Sequence, residues 1–197
     1  MKGEDFIRQI LEGQRDFYGI ELEYNFDLSG HELFGKMQEY LRKQYLAKYP
    51  IIISNSDLSG VKAVGLYLPY AKIESSVVWN ANFDYATLSF IDFQSTDFTY
   101  SVFRHADLKH TDLRNANLQN VDFTHANLYF SDLRGANFDS TKVLATNLIL
   151  ADMKGVRNLE RSLNLRSALF GETKVTAREE SIIKHYSADS RLLDVES

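Results

Sequence analysis

The chain has 197 residues, 44% of them hydrophobic and 25% charged, with a formal net charge of −5 and no cysteine. That composition lies in the range of folded domains and excludes a disulfide framework, a thiolate metal site and a cysteine nucleophile. No apolar run is long enough to span a bilayer, and the chain has no basic stripe for phosphate contacts, so direct nucleic-acid binding is not expected.

The N-terminus, Met1-Lys2-Gly3-Glu4-Asp5 followed by Phe6-Ile7-Arg8-Gln9-Ile10-Leu11, is too charged for the apolar core of a secretory signal and points to a cytoplasmic protein. Phe6, Ile10 and Leu11 fit a short helix ending near Gly13. Two degenerate five-residue units follow, residues 15–19 and 20–24, and Phe26-Asp27-Leu28-Ser29-Gly30 is a third, one residue out of phase. Leu33, Met37, Tyr40, Leu41 and Tyr45 then recur at helical spacing and predict a helix over about 31–48, stopped before Pro50. Residues 1–50 are read as an N-terminal cap. Gly30 to Met37 has the spacing of a phosphate-binding loop, but Met37 stands where a hydroxyl should meet Mg²⁺, and the helical stripe explains the same residues.

From Leu58 to Met153 the residue at every fifth position is Leu or Phe at 15 of 20 steps, with no insertion or deletion. Two residues earlier stands Ala, Ser, Thr or Val at 18 of the 20, and directly before the central residue stands Asp or Asn at 13. The column one residue later holds Leu or Phe only at Leu144, so the register is real. A period of five fits neither the 3.6 of a helix nor the 2 of a strand. Something must turn the chain every five residues.

Units such as Ala106-Asp107-Leu108-Lys109-His110 and Ala116-Asn117-Leu118-Gln119-Asn120 resemble the pentapeptide repeat family, whose pattern is Ala-(Asp/Asn)-Leu-x-x. The resemblance implies an all-β solenoid: a right-handed quadrilateral parallel β-helix of about five coils over residues 51–156, with helical N- and C-terminal caps. At an inter-strand spacing of about 4.8 Å the rod is about 24 Å long. Stacking equivalent positions 20 residues apart gives an unbroken inward ladder of Leu68, Leu88, Leu108, Leu128 and Leu148, and another that contains Phe83, Phe103 and Phe123. The small residue two before each centre prevents overpacking. Asp or Asn before the centre suits side-chain bonds to backbone N–H groups at the corner.

After Gly155 the five-residue phase is lost, and residues 157–197 are read as a helical C-terminal cap and tail. Leu159, Leu163 and Leu165 suggest a short helix or turn, and Thr176-Ala177-Arg178-Glu179 reads as a capping box. Asp189 to Ser197 is polar enough to fray.

Inward columns are set by packing, so specific function is sought on the outward ones. Two residues after the centre on the leucine-ladder face stand Tyr70, Phe90, His110, Phe130 and Leu150, flanked by Tyr129 and Ile149. Elsewhere this column is mainly Gly, Ser, Asn or His. The aromatic stripe is read as a binding surface for a protein partner or a second copy, the competing reading being cover by the N-terminal helix or the C-terminal tail. His105 and His125 fall one coil apart but lack a third convergent metal ligand. No cofactor, metal or catalytic constellation is assigned, which argues against a small-ligand or metal-binding enzyme. The resemblance implies an alternative as well, because the best-understood family members mimic DNA, bind type II topoisomerases such as gyrase and protect against quinolones or other gyrase poisons. Residues 56–156 carry 11 acidic and 8 basic side chains, a net of −3, which is weak for such mimicry.

Overall fold

Each five-residue unit makes one side of a coil and turns one corner, and its backbone bonding explains its sequence. In residues 106–110 every N–H has a partner. Asp107 N–H donates to Ala86 O of the coil before (2.9 Å), Leu108 and His110 N–H donate to Asn127 O and Tyr129 O of the coil after (2.8 and 3.0 Å), and Ala106 N–H closes the preceding corner on Phe103 O (3.1 Å). The remaining N–H, that of Lys109, is taken by Asp107 Oδ1 at 3.2 Å. The same side-chain bond recurs wherever Asp or Asn precedes the centre, for example Asp97 Oδ1 to Thr99 N–H and Asn137 Oδ1 to Asp139 N–H. The Asp/Asn column thus satisfies the one donor per unit that the ladder leaves over. Val102 offers no such oxygen, and there Asp84 Oδ1 reaches from the previous coil to Arg104 N–H (2.9 Å). Pro69 follows Tyr67, and having no N–H it needs no acceptor.

The structure, a computed structural model, describes residues 1–186 and the backbone of 193–195. Single parallel bridges link each residue before a centre to its equivalent 20 residues on, from Ile52↔Lys72 through Asp132↔Asp152, with four bridges to a coil. The central Leu, Phe, Ile, Val and Met side chains from Leu58 to Met153 are buried, as are the small residues beside them. Where the small residue is Ser or Thr, its hydroxyl donates to a carbonyl 23 residues back, as Thr96 does to Ile73 O (2.8 Å) and Thr141 to Leu118 O (2.8 Å). A buried hydroxyl is accepted there because it is paired.

At the N-terminal end, α1 (Gly3–Leu11) buries Phe6, Ile7 and Ile10 and ends before Gly13, whose φ of +96° is glycine territory. The degenerate units pair with the first coil through Asp16↔Ile52, Glu21↔Asp57 and Asp27↔Lys62. The offset falls from 36 to 35 residues at the third bridge, which is the one-residue phase shift. The fourth side of this partial coil is supplied by α2 (Phe34–Arg42), whose Gln38 Oε1 accepts the Tyr67 N–H at 2.5 Å. Arg42 lies over the Tyr67 ring at 4.4 Å. The helix is shorter than the predicted 31–48. Its last turn tightens, with Lys43 N–H on Tyr40 O and Gln44 N–H on Leu41 O, and a separate turn at Tyr45–Tyr49 places Leu46 in the core.

At the other end the ladder runs past residue 156, which corrects the reading of 157–197 as helical cap and tail. Bridges Asn137↔Arg157, Lys142↔Leu163, Asn147↔Leu169 and Asp152↔Lys174 form a further turn of the solenoid with offsets of 20, 21, 22 and 22 residues. The extra residues are absorbed by 3₁₀ turns at Leu159–Arg161 and Leu165–Ser167, each entered through a left-handed Asn, 158 or 164. Leu159 and Leu165 point inward while Leu163 is exposed. Strand β1 (Thr173–Val175) ends this turn and pairs in parallel with β2 (Leu193–Val195). Between them α3 (Ala177–Tyr186) starts with Glu179 accepting both the N–H and the hydroxyl of Thr176. Of the Asp189–Ser197 tail, everything but 193–195 lies outside the described residues.

Candidate functional site

Every corner of the rod is a β-turn whose third residue is left-handed. On the face centred on Ile73 to Met153 those residues are Ser75, Ser95, Asn115, Gly135 and Gly155, small or conformationally tolerant. On the leucine-ladder face they are Tyr70, Phe90, His110, Phe130 and Leu150, with φ of 64, 62, 57, 57 and 60°. A bulky side chain in this region costs about 1–2 kcal/mol relative to its ordinary conformation.

The structure brings these residues into one ladder. Tyr70 and Phe90 stack at 4.9 Å between ring centroids with planes 8° apart, and Phe90 and His110 at 4.6 Å and 6°. Phe130 tilts 44° from His110 at 5.1 Å, while Tyr129 stands edge-on to His110 at 6.1 Å. Phe90 is 46% and Phe130 52% exposed, so neither the N-terminal helices nor any other described residue covers the centre of the stripe. Leu150 and Ile149 are half-buried where the last turn arrives: Leu150 N–H donates to Gly171 O (2.8 Å), and a Cβ on Gly171 would lie 3.3 Å from Ile149.

A second ladder escaped the sequence reading. Tyr85, His105 and His125 occupy the same turn position on the neighbouring face and stack at 4.9 Å, with planes 2 and 14° apart. The signal was present, since Tyr85 stands in the column that already held both histidines. Parallel imidazoles aim their in-plane nitrogen lone pairs side by side rather than at one point, which suits ring stacking better than a shared ion. Among the described residues no group of three or more His, Cys, Asp or Glu could hold a metal. Gly30 N–H is bonded to Asp27 Oδ1 (2.7 Å) and Met37 is buried, so the Gly30–Met37 segment forms no phosphate cradle.

Beside the stripe runs the column Asp92, Asp112, Asp132, Asp152. Arg114 makes a two-pronged pair with Asp112 (2.9 and 2.5 Å) and Arg134 one with Asp132 (2.9 and 2.5 Å), and each guanidinium also reaches toward the next Asp, at 3.7 and 3.9 Å. Burial pushes the Asp132 carboxyl up, but bonds from the Arg134 side chain and N–H and the charges of Arg134 and Arg114 outweigh it and hold it below the ordinary value. Asp92 behaves oppositely. It has no ion-pair partner among the described residues, and burial first, then Asp112 and Glu74, raise its carboxyl above the ordinary value against the Gln94 N–H and Arg114. No helix among the described residues is long and apolar enough to cross a membrane.

The family model for pentapeptide repeats matches residues 79–115, 101–139 and 116–155. Similar solved structures include a pentapeptide repeat protein, Rfr23, from the cyanobacterium Cyanothece 51142, with 20% identity, 54% of this chain and 90% of that one covered, and a TM-score of 0.48. HetL, a pentapeptide repeat protein involved in heterocyst differentiation regulation in Nostoc sp. strain PCC 7120, aligns at 20% identity over 89% of this chain and 64% of its own, with a TM-score of 0.39. QnrB1, a plasmid-mediated fluoroquinolone resistance protein, aligns at 16% identity over 92% of this chain and 91% of its own, with a TM-score of 0.45. No curated protein sequence matches the chain.

Proposed function

Starting from the membership of this chain in the pentapeptide repeat family, we propose that it is a non-enzymatic rigid scaffold, a right-handed quadrilateral β-helix of about five pentapeptide coils with a cap at each end. It binds a protein partner, or a second copy of itself, through the stripe of Tyr70, Phe90, His110, Phe130 and Leu150 with Tyr129 and Ile149. One observation carries this reading: large rings occupy left-handed turn positions where Ser, Asn and Gly serve on the adjoining face. The backbone gains nothing from an aromatic residue there, and local strain of this kind is kept where the side chain is needed. Stacked, half-exposed rings with no cover supply the apolar surface that marks an interaction site.

Mimicry of DNA toward a type II topoisomerase calls for a continuous acidic surface, whereas the Asp112 and Asp132 column is interleaved with Arg114 and Arg134. The test is a pull-down from the native host lysate with wild type and the Phe90→Ser, Phe130→Ser double variant side by side, with circular dichroism of both. The expected result is a partner retained by wild type alone and unchanged secondary structure in the variant. Equal retention by two folded proteins would refute the stripe, and a topoisomerase retained equally by both would revive the mimicry reading.

A further inference from the structure

The rod is tightly filled along its middle but not where it meets the N-terminal helices. The inward column that reads Phe123, Phe103 and Phe83, with rings stacked at 5.5 and 5.1 Å, ends in Ala63. No ring continues it. Phe6 and Ile10 from α1 and Met37 and Leu41 from α2 close over the gap without filling it, leaving a cavity of about 30 Å³. Its lining, Ala63 and Phe83 included, is wholly apolar, and each of these side chains is at most 5% exposed.

A water molecule needs about 10–15 Å³ of such space and two to four polar partners. This cavity has the room and none of the partners, so it is dry. An apolar cavity that accepts benzene is about 150 Å³, which excludes ring-sized ligands here. We infer that the junction between the N-terminal helices and the first coil is a binding site for one small apolar molecule, of the size of xenon or a one- to two-carbon hydrocarbon. Such a ligand replaces missing dispersion contacts between α1, α2 and the first coil. It binds the docked arrangement and not the undocked one, so occupancy favours docking by mass action. Entry requires α1 and α2 to part briefly from the rod, since the lining is buried.

The test uses the full chain and xenon gas, read by methyl NMR. Saturable shifts are expected at Ala63, Leu41 and Met37, with none at the distant Leu128 and Leu148. Ala63→Leu, which fills the space, should weaken the response at least tenfold while the far-ultraviolet dichroism stays native. Should that variant unfold, Ala63→Val adds less volume and serves the same purpose. Absence of saturable shifts in wild type, or an undiminished response in a folded filling variant, would overturn the inference.

Discussion

Asp92 and Asp132 stand two coils apart in one column, each accepting the N–H of the residue two places on, yet replacing each with Asn should move stability in opposite directions. Asn keeps the Oδ1 that accepts from Gln94 N–H or Arg134 N–H, so the corner survives in both variants. What changes is charge. At Asp132 the substitution removes a two-pronged pair with Arg134 on a carboxylate that is 28% exposed. Exposed pairs contribute about 0.2–1 kcal/mol, and the two-pronged geometry within a network places this one near the upper end, about 1 kcal/mol. At Asp92 it removes a charge one coil step from Asp112. Two like charges about 4.8 Å apart repel by about 0.9 kcal/mol at the dielectric constant of water, and partial offset by Arg114 leaves a gain of about 0.5 kcal/mol. For a chain of this size 1 kcal/mol corresponds to about 2–4 °C in Tm. At pH 7.5 Asp132→Asn should therefore melt about 2–4 °C lower and Asp92→Asn about 1–2 °C higher than wild type. Acid removes both differences. The Asp132 carboxyl is depressed in the fold, so its contribution is complete above the unfolded value of about 4 and is lost as pH falls through the folded value. The Asp92 carboxyl is raised, so the benefit of Asn is complete above its folded value and disappears as pH falls below about 4. Thermal melts of the three proteins at pH 7.5 and pH 3 check this. Shifts of the same sign at pH 7.5, or differences that persist undiminished at pH 3, would refute the assignment of unequal electrostatic surroundings within one column.

Phe103 packs against Phe83, Phe93, Phe98 and Phe123 at the centre of the rod and is 1% exposed. Phe103→Ala should cost about 3–5 kcal/mol, and because each coil touches only its neighbours, denaturant unfolding should broaden or split into two transitions; a loss below about 1 kcal/mol would show that the ring ladder does not hold the coils together. Gly135 has φ of +71°, and a Cβ there would lie 2.4 Å from Asn115 Oδ1, whereas at Gly65, with φ of +68°, nothing lies within 4 Å. Gly135→Ala should destabilise by about 1–2 kcal/mol in equilibrium unfolding, while Gly65→Asn should stay within about 0.5 kcal/mol because Asn tolerates the left-handed region.

The repeating part of the fold could be read directly because one unit solves three problems at once: the centre fills the interior, the small residue spares it, and Asp or Asn takes the leftover N–H. Each constraint falls on a different position, so together they define the register. The ends obey the same physics with different residues, which hides them. Leu163 and Leu169 bridge to Lys142 and Asn147, yet 3₁₀ turns insert the residues that erase the period. At the start, one side of a coil is replaced by Gln38, whose amide does the work of a strand carbonyl for Tyr67 N–H and looks in sequence like any polar helix residue. Ala63 reads as a conservative member of its column, and only the positions of Phe6, Ile10, Met37 and Leu41 reveal that its missing ring is not replaced.

The candidate site was readable for the opposite reason. A left-handed turn position asks of its side chain only that it tolerate the conformation, so Gly, Asn or Ser there carries no message. Tyr, Phe, His, Phe and Leu one above another on a single corner cannot be selected by the turn. Four of the five are aromatic, and their stacking with centroids 4.6–5.1 Å apart returns part of the strain, at about 0.5–1.5 kcal/mol per pair. That return does not account for the choice, because Ser75, Ser95, Asn115, Gly135 and Gly155 hold the adjoining corner without any ring. The contrast between two corners of one rod, built on the same backbone, separates what the fold needs from what the surface offers to a partner.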